Sequence, residues 1–152
     1  MIGALGYLIA CLFVACVLTM LYALTRPINA RGEMKSWRVM LGFFTAVVIL
    51  PYVWGEVLTK LYGQNMKEPV AGVLADLDVN GGLRYYRVIR YGKDTARVIA
   101  VGEDRENWGG TEQPVIAITL KKAKDGEWAA DSYTVVSSLK RNADSMTFPP
   151  YW

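Results

Sequence analysis

Two stretches without a single charge constrain this chain more than anything else in it. "ALGYLIACLFVACVLTMLYALT" (4–25) and "VMLGFFTAVVILPYVWG" (39–55) contain no Asp, Glu, Lys or Arg. The first has 22 residues. As a helix rising 1.5 Å per residue, it is long enough to cross a hydrocarbon core about 30 Å thick. Ten of its residues are Leu, Ile, Val or Phe. Each favours insertion by roughly 0.3–0.6 kcal/mol, together about 3–6 kcal/mol, and no charge opposes them. A signal peptide would call for a basic leader, a shorter apolar stretch and a small-residue cleavage site. "MIG" supplies no Lys or Arg, so a retained transmembrane helix is expected over 4–25.

The second stretch has 17 residues, the lower limit for a crossing. Its apolar pattern continues through Val57, Leu58 and Leu61, which predicts a helix over 39–61 with its last turns among the headgroups. Glu56 and Lys60 stand four apart there and can pair. Pro51 removes a backbone donor. A kink is expected, tolerable in lipid if a neighbouring group takes up the freed carbonyl. Trp37, Tyr52, Trp54 and Tyr62 flank the segment, as amphipathic rings do at membrane interfaces.

From Glu56 onward charges recur every few positions. This break predicts a two-helix transmembrane hairpin over 1–63, an outer domain over 64–139 and an extended tail over 140–152. The connecting loop 26–38 carries Arg26, Arg31, Lys35 and Arg38 against Glu33 alone. Basic residues in short loops stay on the cytoplasmic side, so both termini are expected outside. In a bacterium that means the inner membrane, with the C-terminal domain periplasmic or extracellular.

Cys11, Ala15, Thr19 and Ala23 form a stripe of small residues spaced by four, and Gly42 and Ala46 repeat that spacing in the second helix. Small residues let helices approach closely in lipid, so both sets are expected to be packing faces, within the hairpin or against another subunit. Cys11 and Cys16 are the chain's two cysteines. Five apart on one helix, they point to different faces, and the outer domain has none.

"DLDVNGGLRYYRV" (76–88) allows two readings. Asp76, Asp78 and Asn80 match the first three ligand positions of a calcium loop, and Gly81 its turn. The twelfth position, however, should be a bidentate Glu and is Arg87. Alternatively, Val73, Ala75, Leu77 and Val79 alternate before Asn80-Gly81 and the β-rich "LRYYRVIRY", a strong hairpin signal. The hairpin is the preferred reading, with a weak partial calcium site left open. A third option is a helix over 70–77 laid across the sheet, since short apolar runs are ambiguous. Further strands are predicted at 83–91, 95–101, 114–122 and 127–139, separated by turn signals. The expected fold is therefore two transmembrane helices followed by a small, mainly-β outer domain, an antiparallel meander of about four or five strands.

Composition closes off much chemistry. The chain has no histidine, which removes Ser-His-Asp and Cys-His catalysis and most zinc sites. Ser137 and Lys140 spell S-x-x-K, but at the end of a predicted strand rather than on a helix. Arg84, Arg87 and Arg90 interleave with Tyr85, Tyr86 and Tyr91, a mix able to hold nucleic acid. From residue 57 on, 13 basic residues face 12 acidic ones, and that near-neutrality argues against nucleic acid. Trp108, Phe148, Tyr151 and Trp152 are costly to leave in water and are expected to dock on a partner, on the domain or at the membrane. The expectation is a non-enzymatic accessory subunit or assembly factor of a larger membrane complex, without cofactor. Its partners would be other membrane subunits and the lipid bilayer, with a homo-oligomer possible. An envelope sensor binding a small ligand or ion is the alternative.

Overall fold

The computed structural model describes residues 2–27, 35–105, 109–123, 125–143, 147 and 149. The chain divides into two compact units, one ending at Val53 and the other running Trp54–Thr147. That boundary falls inside a helix, ten residues before the composition-based boundary at 64.

The first unit contains helix α1 (Ile2–Thr25) and most of α2 (Ser36–Tyr62). Both helices are long and apolar enough to cross a membrane, and only 17% and 11% of their most apolar windows are buried within the chain. The core helix of a soluble protein would be mostly covered. Here Leu5, Phe13, Met20 and Leu50 stand exposed. Pro51 lies inside α2. Having no N–H, it leaves the Val47 carbonyl, four residues earlier, without its helical donor. The Tyr7 hydroxyl of α1 lies there. It donates to Val48 O at 2.9 Å and stands 3.4 Å from Val47 O, while its ring meets Tyr52 edge-on at 6.2 Å. The proline and the tyrosine are therefore complementary features on neighbouring helices.

In the second unit, a 3-10 turn (Gln64–Met66) leads into α3 (Lys67–Asp76). Six strands follow: β1 (Leu83–Tyr91), β2 (Thr95–Gly102), β3 (Asp104–Arg105), β4 (Thr111–Glu112), β5 (Val115–Lys122) and β6 (Trp128–Ser137). Four form an antiparallel sheet in the order β1-β2-β5-β6, and β3 and β4 make a separate ribbon between β2 and β5. The sheet is the predicted meander with four strands. On one face Val88, Ala96, Val98, Ala100, Ile116, Ile118 and Leu120 pack with Leu58 of α2 and with Met66, Val70, Val73 and Leu74. Ile99, Val101, Val115, Ala117 and Val136 form a second buried cluster.

The strand preferred at 73–79, and with it the hairpin at Asn80-Gly81, is absent; α3 runs there through Asp76, in line with the alternative of a helix over 70–77. Val70, Val73 and Leu74 are its buried residues, a spacing of three and four that the alternation of Val73, Ala75, Leu77 and Val79 concealed. Glu68 sits in the first turn, where the helix dipole favours an acid. The helix ends with paired capping bonds: Val79 N–H donates to Leu74 O at 3.0 Å and Asp78 N–H to Ala75 O at 3.0 Å. Asp78 takes the left-handed conformation this cap requires, with φ 54°. Gly81 is a glycine because of close approach. A Cβ there would lie 2.2 Å from the Glu103 carbonyl oxygen.

Candidate functional site

The two small-residue stripes lie in different surroundings. On α1, Cys11 and Ala15 are buried in line with Tyr7, and Thr19 and Ala23 are half-buried. The same helix meets α2 through Cys16 Sγ, 3.8 Å from Met40 Sδ, and through Tyr22, whose ring lies 6.1 Å from Phe43. On α2, Gly42 and Ala46 are exposed. They form the floor of a shallow apolar groove of about 630 Å³, lined also by Leu41, Ile49, Leu50 and Val53, with Arg38 at one end. Arg38 lies over the Trp37 ring at 5.5 Å, and Arg26 over the Tyr22 ring at 5.1 Å. Lys35 is exposed. Arg31 of the basic loop lies outside the described residues, as do the docking candidates Trp108, Phe148, Tyr151 and Trp152.

The calcium candidates lie at the end of α3 and in the turn after it. Asp76 closes α3, Asp78 is its left-handed cap, and Asn80 turns its backbone N–H toward Asp104. Among the described residues, no three His, Cys, Asp or Glu side chains are grouped to hold a metal.

A cluster unforeseen from sequence lies at the ribbon. Asp104 and Glu112 are directly opposed across β3 and β4 and are both buried. Asp104 Oδ2 accepts from Lys140 Nζ at 3.2 Å and from Arg141 Nη1 at 3.2 Å. Arg141 Nη2 also donates to the Leu77 carbonyl at 2.7 Å. One guanidinium thus joins the end of α3, the ribbon and the segment after β6. Glu112 Oε1 accepts from the Ser138 hydroxyl at 2.7 Å and from the Leu139 N–H. Asp104 Oδ1 and Glu112 Oε2 have no hydrogen-bond partner among the described residues.

Desolvation pushes the Asp104 pKa up, but the bonds from Lys140 and Arg141, the Lys140 charge and the Asn80 N–H outweigh it and hold the carboxyl below its ordinary value. Glu112 is likewise held down, desolvation being outweighed by Ser138, the amides of Leu139 and Lys140, and the Arg141 charge. Held ionised, neither carboxyl has a proton to donate near neutral pH. The amine of the S-x-x-K string lies on Asp104, so this arrangement works as a clasp between segments. Sequence reading missed it because its members are separated by up to 64 positions, with no motif linking them.

A second concavity, about 480 Å³, lies beside the 3-10 turn and is lined by Gln64, Asn65, Lys67, Glu68, Glu127 and Trp128. Next to it Tyr62 stacks on Tyr91 with centroids 4.0 Å apart, and Tyr91 meets Trp128 at 5.8 Å.

No protein-family model matches this chain, and no curated protein or solved structure shows significant similarity to it. A functional reading therefore rests on the geometry above.

Proposed function

We propose that this chain is a non-catalytic accessory subunit or assembly factor of a larger membrane complex. In this reading α1 and α2 both cross the bilayer, the basic loop lies inside, and the outer sheet stands in the periplasm of a bacterium. The observation that carries it is the contrast between the two stripes. Cys11 and Ala15 are covered, whereas Gly42 and Ala46 floor an open groove. Within lipid, a shallow small-residue groove is the shape that admits another helix closely.

Affinity purification from native membranes in mild detergent tests this. Partner subunits are expected to co-purify with the parent chain and to be lost from Gly42→Leu/Ala46→Leu, whose own extraction and melting stay unchanged. A parent chain that elutes alone as a stable monomer would sink the proposal. The membrane assignment is checked separately. Alkaline carbonate should leave the chain in the vesicle pellet, and protease outside spheroplasts should digest the C-terminal unit.

The cleft beside Trp128 favours a second reading, a small-ligand sensor. Its mixture of amide, cation, anion and indole suits a small polar molecule. Retained function in Trp128→Ala would dismiss that reading.

A further inference from the structure

The Arg–Tyr strand β1 has no role in the reading above, yet its surroundings specify one. Arg90 of β1 stands directly opposite Arg97 of β2. Both are exposed, and neither has an ion pair among the described residues. Like charges directly opposed across antiparallel strands destabilise a sheet. Such a pair is relieved by an anion that accepts from both guanidinium groups, and phosphate fits their planar donor forks. Tyr85 is exposed on the same face, whereas Arg87 is paired with Glu56 at 3.9 Å.

The depth of this strand follows from α2. Its 27 residues extend about 40 Å, close to the thickness of a bilayer with its headgroups, whereas the hydrocarbon alone takes up only about 20 of them. The charge-free run 39–55 takes the hydrocarbon, so the last two turns, from Glu56 on, belong to the headgroup layer if α2 crosses the membrane, and the inference rests on that part of the proposed function. β1 runs beside those turns. A Cβ on Gly55 would lie 2.9 Å from Arg87 Cδ, Val88 N–H donates to Thr59 Oγ1 at 2.8 Å, and Tyr91 stacks on Tyr62. Residues 87–91 thus share the level of the lipid phosphates, where tyrosines also prefer to lie.

We propose that β1 and β2 form a binding site for the phosphate of anionic phospholipids, with Arg90 and Arg97 gripping the headgroup and Tyr85 on the same face of the sheet. The outer sheet is then seated on the bilayer surface, and its stability depends on lipid composition.

The test uses the full chain in mild detergent, with melting followed by β-sheet circular dichroism. Phosphatidylglycerol in excess over its Kd is expected to raise the Tm by about 5 °C, and phosphatidylcholine with the same chains to raise it far less. Arg90→Gln/Arg97→Gln should lose most of that rise. Without lipid it should melt at or above the parent, because the repulsion is gone. Lys35→Gln/Arg38→Gln, at the other end of α2, should keep the rise. An undiminished rise in the Arg90/Arg97 variant would overturn the proposal. So would an equal rise with phosphatidylcholine, or one reproduced in full by inorganic phosphate at the same concentration. If the glutamine pair fails to fold, Arg90→Lys/Arg97→Lys keeps the charges and should retain a measurable phosphatidylglycerol rise; its complete loss would count against the site. All of this is read in detergent, so failure here is separable from failure of the carbonate and protease tests.

Discussion

The helical hairpin and the sheet unit meet the same demand by opposite means. In the hairpin, the carbonyl freed by Pro51 lies beside one neutral hydroxyl, that of Tyr7. In the sheet unit, two buried carboxylates are held by Lys140, Arg141, a serine and backbone amides. On the proposed reading the difference follows from the solvent: a charge in lipid costs several kcal/mol, so a neutral donor is the economical partner there. At the ribbon Lys140 is 38% exposed while Asp104 is 1% exposed. Part of the cluster stays hydrated, and an ionic solution becomes workable. In one region polar groups are kept to a minimum; in the other they connect distant parts of the chain.

This contrast can be broken one side at a time. The largest effect is expected from Arg141→Ala, which strips Asp104 of a charged partner and the Leu77 carbonyl of its donor. Removing one member of a buried pair typically costs 3–5 kcal/mol. Because Asp104 keeps the half-exposed Lys140 as a partner, about 2–3 kcal/mol is expected, read as a lower denaturation midpoint of the sheet and α3 with the α1–α2 helical signal unaltered.

Acid should act on the same region. Asp104 and Glu112 have lowered pKa values in the folded chain, so the unfolded state takes up protons first as pH falls. Their contribution is complete above the ordinary carboxylate pKa values and is lost as pH drops through the lower folded ones. Melting of Asp104→Asn should lack that part of the acid limb, and an unchanged acid profile would contradict the clasp.

Tyr7→Phe should cost about 1 kcal/mol, the scale of interhelical hydrogen bonds in membranes, and only in the hairpin. Pro51→Ala, which restores the helical donor, should largely cancel that cost. Lys140→Met comes last, at under about 1 kcal/mol, because a half-hydrated ion pair contributes little and less in salt.

The sequence made some features visible and concealed others for physical reasons. The two long helices were legible because an apolar signal accumulates over some twenty residues and tolerates local exceptions. Strands β1, β2, β5 and β6 were legible from β-branched and aromatic runs set between Gly and Asp turns. Helix α3 was misread because Val73 to Val79 satisfies two periods at once. Its i, i+3, i+4 set, Val70, Val73 and Leu74, is only three residues long. The Asn80-Gly81 pair looked like a turn demanding positive φ. The glycine was selected instead by the Glu103 carbonyl, a long-range contact no local pattern records. The clasp was hidden for the same reason. The stripe on α1 and the stripe on α2 look identical in sequence, and burial alone separates them.

Thr59 does more than join a helix to a strand. Its hydroxyl accepts from Val88 N–H at 2.8 Å and donates to the Gly55 carbonyl at 2.7 Å. An outer strand ordinarily leaves such amides as a template for a stray chain to add to. Here the side chain of a helix occupies that place for Val88, so a chain adding at this rim would find that amide already taken. A Thr59→Val chain would keep its shape and lose that guard.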